Sequence, residues 1–333
     1  MEYTEKPVII CLTPVKNEAW ILDRFLKAAS LWADYIIVAD QYSTDGSKDI
    51  CKKYAKVIWI ENNSVAFNEP GRQKLLIDAA RKIEGPRLLI ALDADEMLSP
   101  NFDSPEWGTM LYASPGTIFV FERANLNPDL VTMWVEKDLV FGYMDDGAEH
   151  TGAIIHSMRF PISKKGDVFH LHSIKVLHFQ YLETQRLRSK HAWYQCFERV
   201  QFPEKSNVKI FRIYNHYLNS VGRAVCEIPK EWFTLFVEQQ VDITSVVVEQ
   251  MLWWDTQVLD YMNQYGIRYF ARLNIWTIGW PSIAEKWDYD NPEKYKDPRN
   301  MFEKLFCNWL IKTQGQHQHG WVKMLDKIIS LFY

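Results

Sequence analysis

Through its first hundred residues the chain alternates short apolar, β-branched runs with segments whose apolar residues recur every three or four positions. Val8 to Thr13, Tyr35 to Ala39, Val57 to Ile60 and Leu88 to Leu92 are the runs, and they read as buried strands. After the first of them Trp20, Ile21, Phe25, Leu26 and Ala29 fall on one helical face. Lys48 to Tyr54 and Gly71 to Ile83 read as the next two helices, the second stopped by Gly85-Pro86. Strands alternating with helices predict a largely parallel sheet. At Thr117 to Phe121 and Val168 to Phe179 strand-like runs return without long helices between them, which predicts antiparallel additions at one side of that sheet. Beyond about Leu182 the pattern is mostly helical, with Thr184 to Arg199, Val237 to Met262 and Met301 to Ile311 as helices and Asn291 to Asn300 as a loop.

The 333 residues are 47% hydrophobic, enough for an ordered α/β domain with an appended helical part. A net charge of -4 gives no general attraction to nucleic acid, leaving only local basic patches at Lys164-Lys165 and from Arg186 to Lys190. Five scattered cysteines without a C-x-x-C pair argue against a disulfide framework and a structural zinc site, and suit a reducing cytosol. The first residues lack a secretory pattern and no apolar run reaches ~18 residues, so a cytoplasmic protein is expected. Fourteen tryptophans, many of them in the last third, are expected mainly as core.

The chemistry starts where the fourth apolar run stops at Asp93-Ala94-Asp95-Glu96. A strand ending there delivers carboxylates to the carboxyl edge of the sheet, where open α/β sheets bind ligands. Two carboxylates one residue apart point the same way in extended backbone and suit one divalent cation with the phosphates it holds. Neither G-x-G-x-x-G after the first strand nor G-x-x-x-x-G-K-[ST] occurs, so the glycine-rich ways of holding phosphate are missing, and if phosphate binds a metal must help. The first, second and fourth strands present Thr13 to Glu18, Asp40, and Asp93 to Asp95 at one edge.

With an N-terminal strand running into Asn17-Glu18, then Asp40-Gln41-Tyr42-Ser43-Thr44-Asp45-Gly46-Ser47, then Asp93-Ala94-Asp95, the sequence resembles a family 2 glycosyltransferase of the GT-A fold. The resemblance is good from Val8 to about Leu98, moderate to about Tyr194 and weak beyond. It implies a Rossmann-like mixed sheet over 1–200, with a nucleotide-sugar half (1–98) and an acceptor half (99–200), followed by a mostly helical region at 201–333. It further implies a nucleotide-diphospho-sugar donor, most simply a UDP-sugar, with Mn2+ or Mg2+, and a glycan or lipid-linked acceptor in surface polysaccharide or lipopolysaccharide synthesis. Pro14 and Glu18 would flank base and ribose, Asp40 would bind the base, Asp93 the ribose and metal–diphosphate, and Asp95 the metal. Asp40 also has its own rationale, since a carboxylate accepts from an imide N–H. Ser43 to Ser47 reads as structural, with Gly46 permitting a turn.

Arg72, in the segment beside the nucleotide, is a diphosphate candidate. Six of the nine histidines fall between His150 and His191, and Val176 to Tyr181 resembles the segment where the family carries a further metal ligand. His178 is the expected ligand, with His172 in reserve. Inverting transfer also needs a base, and Asp146, Asp145 and Glu149 lie where the family places its acceptor-side acid. The processive Q-x-x-R-W signature is missing, so single-sugar addition is expected. The amphipathic segment from Trp321 to Phe332 suits packing on the domain, a homodimer, or peripheral contact with an anionic membrane. Two rivals remain: a sugar-phosphate nucleotidyltransferase, which would want a glycine-rich loop after the first strand, and a non-catalytic glycan- or partner-binding protein on the same core.

Overall fold

A computed structural model describes residues 5–64, 66–162, 166–218, 224–245 and 251–331. The chain divides into two compact units, one of Met1–Leu182 with Val225–Val247, the other of Glu183–Ala224 with Val248–Tyr333. The first holds a sheet of nine strands among the described residues: β1 (Val8–Val15), β2 (Tyr35–Asp40), β3 (Val57–Glu61), β4 (Arg87–Ala91), β5 (Glu96–Leu98), β6 (Ile118–Leu126), β7 (Thr132–Met144), β8 (Val168–His178) and β9 (Val225–Glu227). Their order is β3-β2-β1-β4-β7-β6-β8-β5, with β9 paired to β7.

The first four strands are parallel, as their apolar runs predict, and β7 joins β4 antiparallel. Helices α1 (Ala19–Ser30), α2 (Ser47–Cys51) and α3 (Glu69–Ala80) cross between these strands, and α4 (Pro105–Leu111) follows β5. One sheet face buries Cys11, Ile36, Val38 and Ile90 against Leu22, Phe25 and Leu26 of α1. The other buries Ile10, Leu12, Ile37 and Leu89 against Leu76 and Ile77 of α3. Both faces of the parallel strands are thus dry, which is why those runs are continuously apolar.

β7 is a finding that the hydrophobic pattern did not supply, because Glu136-Lys137-Asp138 interrupts its thirteen residues. The expected helix from Val237 to Met262 is two helices. The first, α7 (Lys230–Glu238), comes after α5 (Thr184–Gln201) and α6 (Asn207–Tyr214) and closes on a Val241 N–H bond to Phe236 O of 2.8 Å. Asp242 then accepts from the Thr244 and Ser245 amides, turning the chain. Residues 246–250 lie outside the described residues, and the second helix is α8 (Trp253–Tyr265). β9 and α7 belong to the first unit, where Ile228, Trp232 and Phe236 join its core. The division expected at residue 200 falls in the last turn of α5.

The second unit is helical: α5, α6, α8, α9 (Trp280–Lys286), α10 (Met301–Thr313) and α11 (Gly320–Ile329). Trp254, Trp276 and Trp280 are buried there as expected for core, while Trp321 is 48% exposed. On α11 it shares an exposed apolar stripe with Met324 and Ile328, and exposed Leu331 follows the helix; Phe332 lies outside the described residues, as does the Lys164-Lys165 pair. No helix among the described residues is long and apolar enough to cross a membrane. Cys11, Cys51, Cys196, Cys226 and Cys307 are all free thiols.

On α8, the buried Asp255 carboxyl is pushed up to about 6 by desolvation, against the pull of Ser189 and Lys286. The folded state therefore holds this proton more tightly than the unfolded chain does. Its contribution to stability is full below about pH 4 and lost as the pH rises to about 6. Asp255→Asn should raise stability near pH 7 by up to about 3 kcal/mol and leave it little changed near pH 4. Urea unfolding of both proteins at the two pH values checks this; an equal change at both would contradict it.

Candidate functional site

The strand ends that the sequence singles out do meet at one edge. Val15 pairs with Asp40, and Leu12 pairs with Ala91, the last residue of β4 before the acidic turn. The first layer of that edge is two loops fastened together. Asn17, with a positive φ of 55°, donates from its amide to Ser43 Oγ (2.7 Å) and accepts at Oδ1 from the Thr44 amide (2.7 Å). The Glu18 amide donates to Ser47 Oγ (3.2 Å) and the Ala19 amide to Asp45 Oδ2 (2.8 Å). Asp45 and Ser47 thereby satisfy orphan amides at the start of α1, the neighbouring helix, and Gly46 at φ 91° lets the chain turn into α2. The Ser43 to Ser47 motif is structural, and it works between helices rather than within one.

Asp40 is 8% exposed; Oδ2 accepts from the Ser43 amide at 3.1 Å, whereas buried Oδ1 has no hydrogen-bond partner. Buried acceptors are almost always satisfied, so this oxygen is an exception at the edge. The Glu18 carboxylate instead accepts from the Trp20 indole at 2.6 Å, and Gln41 and Tyr42 donate to carbonyls of the loop after β3.

Between β1, α3 and the acidic turn lies a pocket of about 110 Å³, lined by Pro14, Glu69, Arg72, Asp93, Ser157 and Arg159 among others. It is smaller than the ~300–1,000 Å³ of most ligand pockets, so it can enclose only part of a nucleotide sugar. Arg72 stacks over the Phe67 ring (5.3 Å), and its buried Nε has no partner. The motif search missed Arg159, sixty-six positions from the turn it serves. It lies over Phe141 at 4.6 Å and donates to Ala91 O (2.9 Å), Asp93 Oδ2 (3.1 Å) and Glu96 Oε2 (2.8 Å).

Glu96 is fully buried between Arg159 and Arg123, and its carboxylate also accepts from the Asp93 amide at 2.9 Å. Burial raises its carboxyl above the usual range although both arginines pull it down. The third acid of the run is therefore a buttress that shapes the turn, and Asp93 leans on Arg159 with its side chain 44% exposed. Burial likewise raises Glu69, against Arg72 and the Ser157 amide.

Asp95 points elsewhere. The short β5 pairs Glu96 with His178 across β8, and the Phe179 amide donates to Asp95 O, which together set the Asp95 carboxylate 3.9 Å from His178 Nε2. Next along the sheet, Asn125 of β6 pairs with His178 and its Oδ1 lies 2.7 Å from His178 Nδ1. With Asn125 Oδ1 as acceptor of a protonated Nδ1, a neutral ring carries its lone pair on Nε2, the atom that faces Asp95. Tyr181 stands edge-on to His178 at 5.8 Å and to Trp134 at 5.3 Å. Among the described residues no three His, Cys, Asp or Glu side chains converge as a complete metal cage. The expected set of Asp93, Asp95 and His178 is thus a facing pair, Asp95 with His178, and an outlying Asp93 held by Arg159. Asp95 alone supplies the single protein carboxylate with which a magnesium-like ion can be held when water and substrate phosphates complete its shell.

The other expected residues lie elsewhere. β7 runs antiparallel to β4 with Met144 opposite Leu88, so the loop from Asp145 starts at the opposite edge, roughly 13 Å of strand from Ala91. There Asp145 is bonded to Arg81 (2.8 Å) and Arg87 (3.1 Å) and exposed Asp146 accepts from the Tyr143 hydroxyl; farther along the loop exposed Glu149 pairs with Lys74 of α3 (3.6 Å), next to Gln73 of the pocket. The order of motifs along the chain could not show that β7 reverses direction. His172 is exposed and near Glu122, and Arg186 is buried over Trp254 (4.8 Å), in the second unit.

The sequence model of a family described as "Glycosyl transferase family 2" matches residues 10–160. No curated protein matches the sequence. Among solved structures, the crystal structure of HddC from Yersinia pseudotuberculosis is similar at 14% identity and a TM-score of 0.29, over 49% of this chain and 88% of that one.

Proposed function

Residues 10–160 being a glycosyl transferase family 2 domain, we propose that its carboxyl edge takes a nucleotide-diphospho-sugar together with a divalent cation and passes the sugar to a glycan or lipid-linked hydroxyl. The observation that carries the reading is the approach of Asp95 to His178, with Asn125 fixing the tautomer that turns the imidazole lone pair toward the carboxylate. Asp95 and His178 would hold Mn2+ or Mg2+, and a cation bound there neutralises charge on the departing diphosphate. The partnerless Oδ1 of Asp40 suits the imide N–H of uracil, which favours a UDP-sugar. Arg72 Nε suits a diphosphate oxygen, and Pro14 walls the same pocket.

In the transfer the acceptor oxygen bonds to the anomeric carbon, the bond from that carbon to the diphosphate oxygen breaks, and the acceptor proton leaves to a base. Direct displacement of this kind inverts the anomeric centre. We give Asp145 and Asp146 no part in it, because they sit at the far edge where their loop starts; Glu149, paired with Lys74 beside Gln73 of the pocket, is the one of the three that the loop carries back toward the donor edge.

Asn125→Ala tests the assignment. With nothing to accept from Nδ1, the His178 ring loses its orientation, and the manganese needed for half-maximal turnover of a UDP-sugar should rise about 10–100-fold. Activity at saturating metal should be largely restored. An unchanged metal requirement would overturn the role of His178.

A further inference from the structure

The second unit holds a cavity of about 420 Å³ between the start of α5, α8 and α9. It is larger than the pocket at the donor edge and within the ~300–1,000 Å³ typical of ligand pockets. Three of its lining groups are polar and more than nine-tenths buried: Arg186 (5% exposed), Ser189 (2%) and Asp255 (5%). Ser189 and Asp255 belong to a directed chain. The Trp254 indole N–H donates to Ser189 Oγ (2.8 Å), and the Ser189 hydroxyl donates to Asp255 Oδ1. No hydrogen bond to Asp255 Oδ2 occurs among the described residues, so an acceptor oxygen is left to the cavity. On the α9 side Ile278, Ile283 and the half-buried Trp287 supply the apolar part of the lining, with Ser282 and Lys286 beside them. The folding of a helical unit does not call for these polar groups, and the raised carboxyl of Asp255 means that its charge is kept at a cost near neutral pH.

An acceptor carboxylate, buried donors and an aromatic wall around one cavity match a ring that carries hydroxyls on its edge and C–H bonds on its face. An inorganic anion would meet Asp255 and Glu183 as well as Arg186 and Lys286, a lining with no net positive charge. We propose that this cavity is a saccharide-binding site, separate from the donor edge, that holds a sugar unit of the acceptor through Asp255, Ser189 and Arg186 with Trp287 against the ring face. The choice of a saccharide rests on the sugar-transfer reading of the first unit; the cavity and its polar chain do not.

Saturation-transfer NMR on the full chain, with the methyl glycosides of glucose, galactose, mannose and N-acetylglucosamine as probes, tests it. At least one glycoside should receive saturation from the wild type and lose it in Asp255→Asn, which is expected to fold more stably. It should also lose it in Ser282→Trp, which fills the mouth of the cavity from an exposed position. Both variants should still bind UDP with manganese, and the glycoside signal should persist in Asp95→Asn. No transfer to any probe, transfer that survives both cavity variants, or transfer that disappears in Asp95→Asn would each overturn the proposal. Failure of UDP binding in the wild type with the glycoside signal intact would strike the donor reading alone.

Discussion

Asp95→Asn should lower kcat for sugar transfer by about 10²–10³ while leaving the fold intact, since loss of one preorganised electrostatic contact to a developing charge costs about 2.7–4 kcal/mol. Asparagine matches aspartate in shape, and the backbone carbonyl that accepts from Phe179 is untouched. What disappears is the negative charge 3.9 Å from His178 Nε2, on a side chain only 7% exposed, where water cannot replace it. Asp93→Asn should be milder, because Asp93 is 44% exposed and leans on Arg159. Nucleoside diphosphate release from UDP-sugars reads both variants. Equal losses would mean that the two carboxylates act as one ligand set, contrary to the geometry.

Asp145→Ala should have the largest effect on stability, about 3–5 kcal/mol, as expected when one partner of a buried ion pair is removed. Its side chain is wholly buried between Arg81 and Arg87, each 20% exposed, and truncation strands both guanidinium groups beside the start of β4. Burial alone would push this carboxyl up, but bonds from Arg81, the Gly147 amide and Arg87 outweigh it and hold it below the usual range. The stabilisation is therefore present above the unfolded pKa of about 3.9 and is lost only as the pH falls through the lower folded value. Urea unfolding should show a large deficit for the variant at pH 7 that narrows in acid. At a temperature where both proteins are folded, turnover should be close to wild type. A stable variant with abolished turnover would return Asp145 to the role of base.

The parts legible in the sequence were those in which local pattern and local structure are the same thing. Runs such as Leu88 to Leu92 are buried on both faces, so they are apolar throughout, and the acids that end them must emerge at the carboxyl edge. His178 was singled out by the segment Val176 to Tyr181, and the fold sets it 3.9 Å from Asp95. Arg159 was not: it is joined to the turn only by the fold, and no residue beside it signals that its guanidinium lies over Phe141 and bonds to Asp93. Nor was the direction of β7, whose charged middle hid it and whose reversal carries Asp145 and Asp146 away from the site. Glu96 was read as one of three similar acids, and burial between two arginines sets it apart. The polar chain from Trp254 through Ser189 to Asp255 joins residues sixty-five apart on two helices, and periodicity reports such positions only as helix.

The most direct test of the donor edge is calorimetric titration of UDP into the wild type and into Asp95→Asn, each with and without manganese. Binding that requires manganese in the wild type and is lost or made metal-independent in the variant is the predicted result. Binding by the wild type that ignores manganese, or an unchanged metal requirement in the variant, would contradict the assignment of Asp95 and His178 to a metal–diphosphate site.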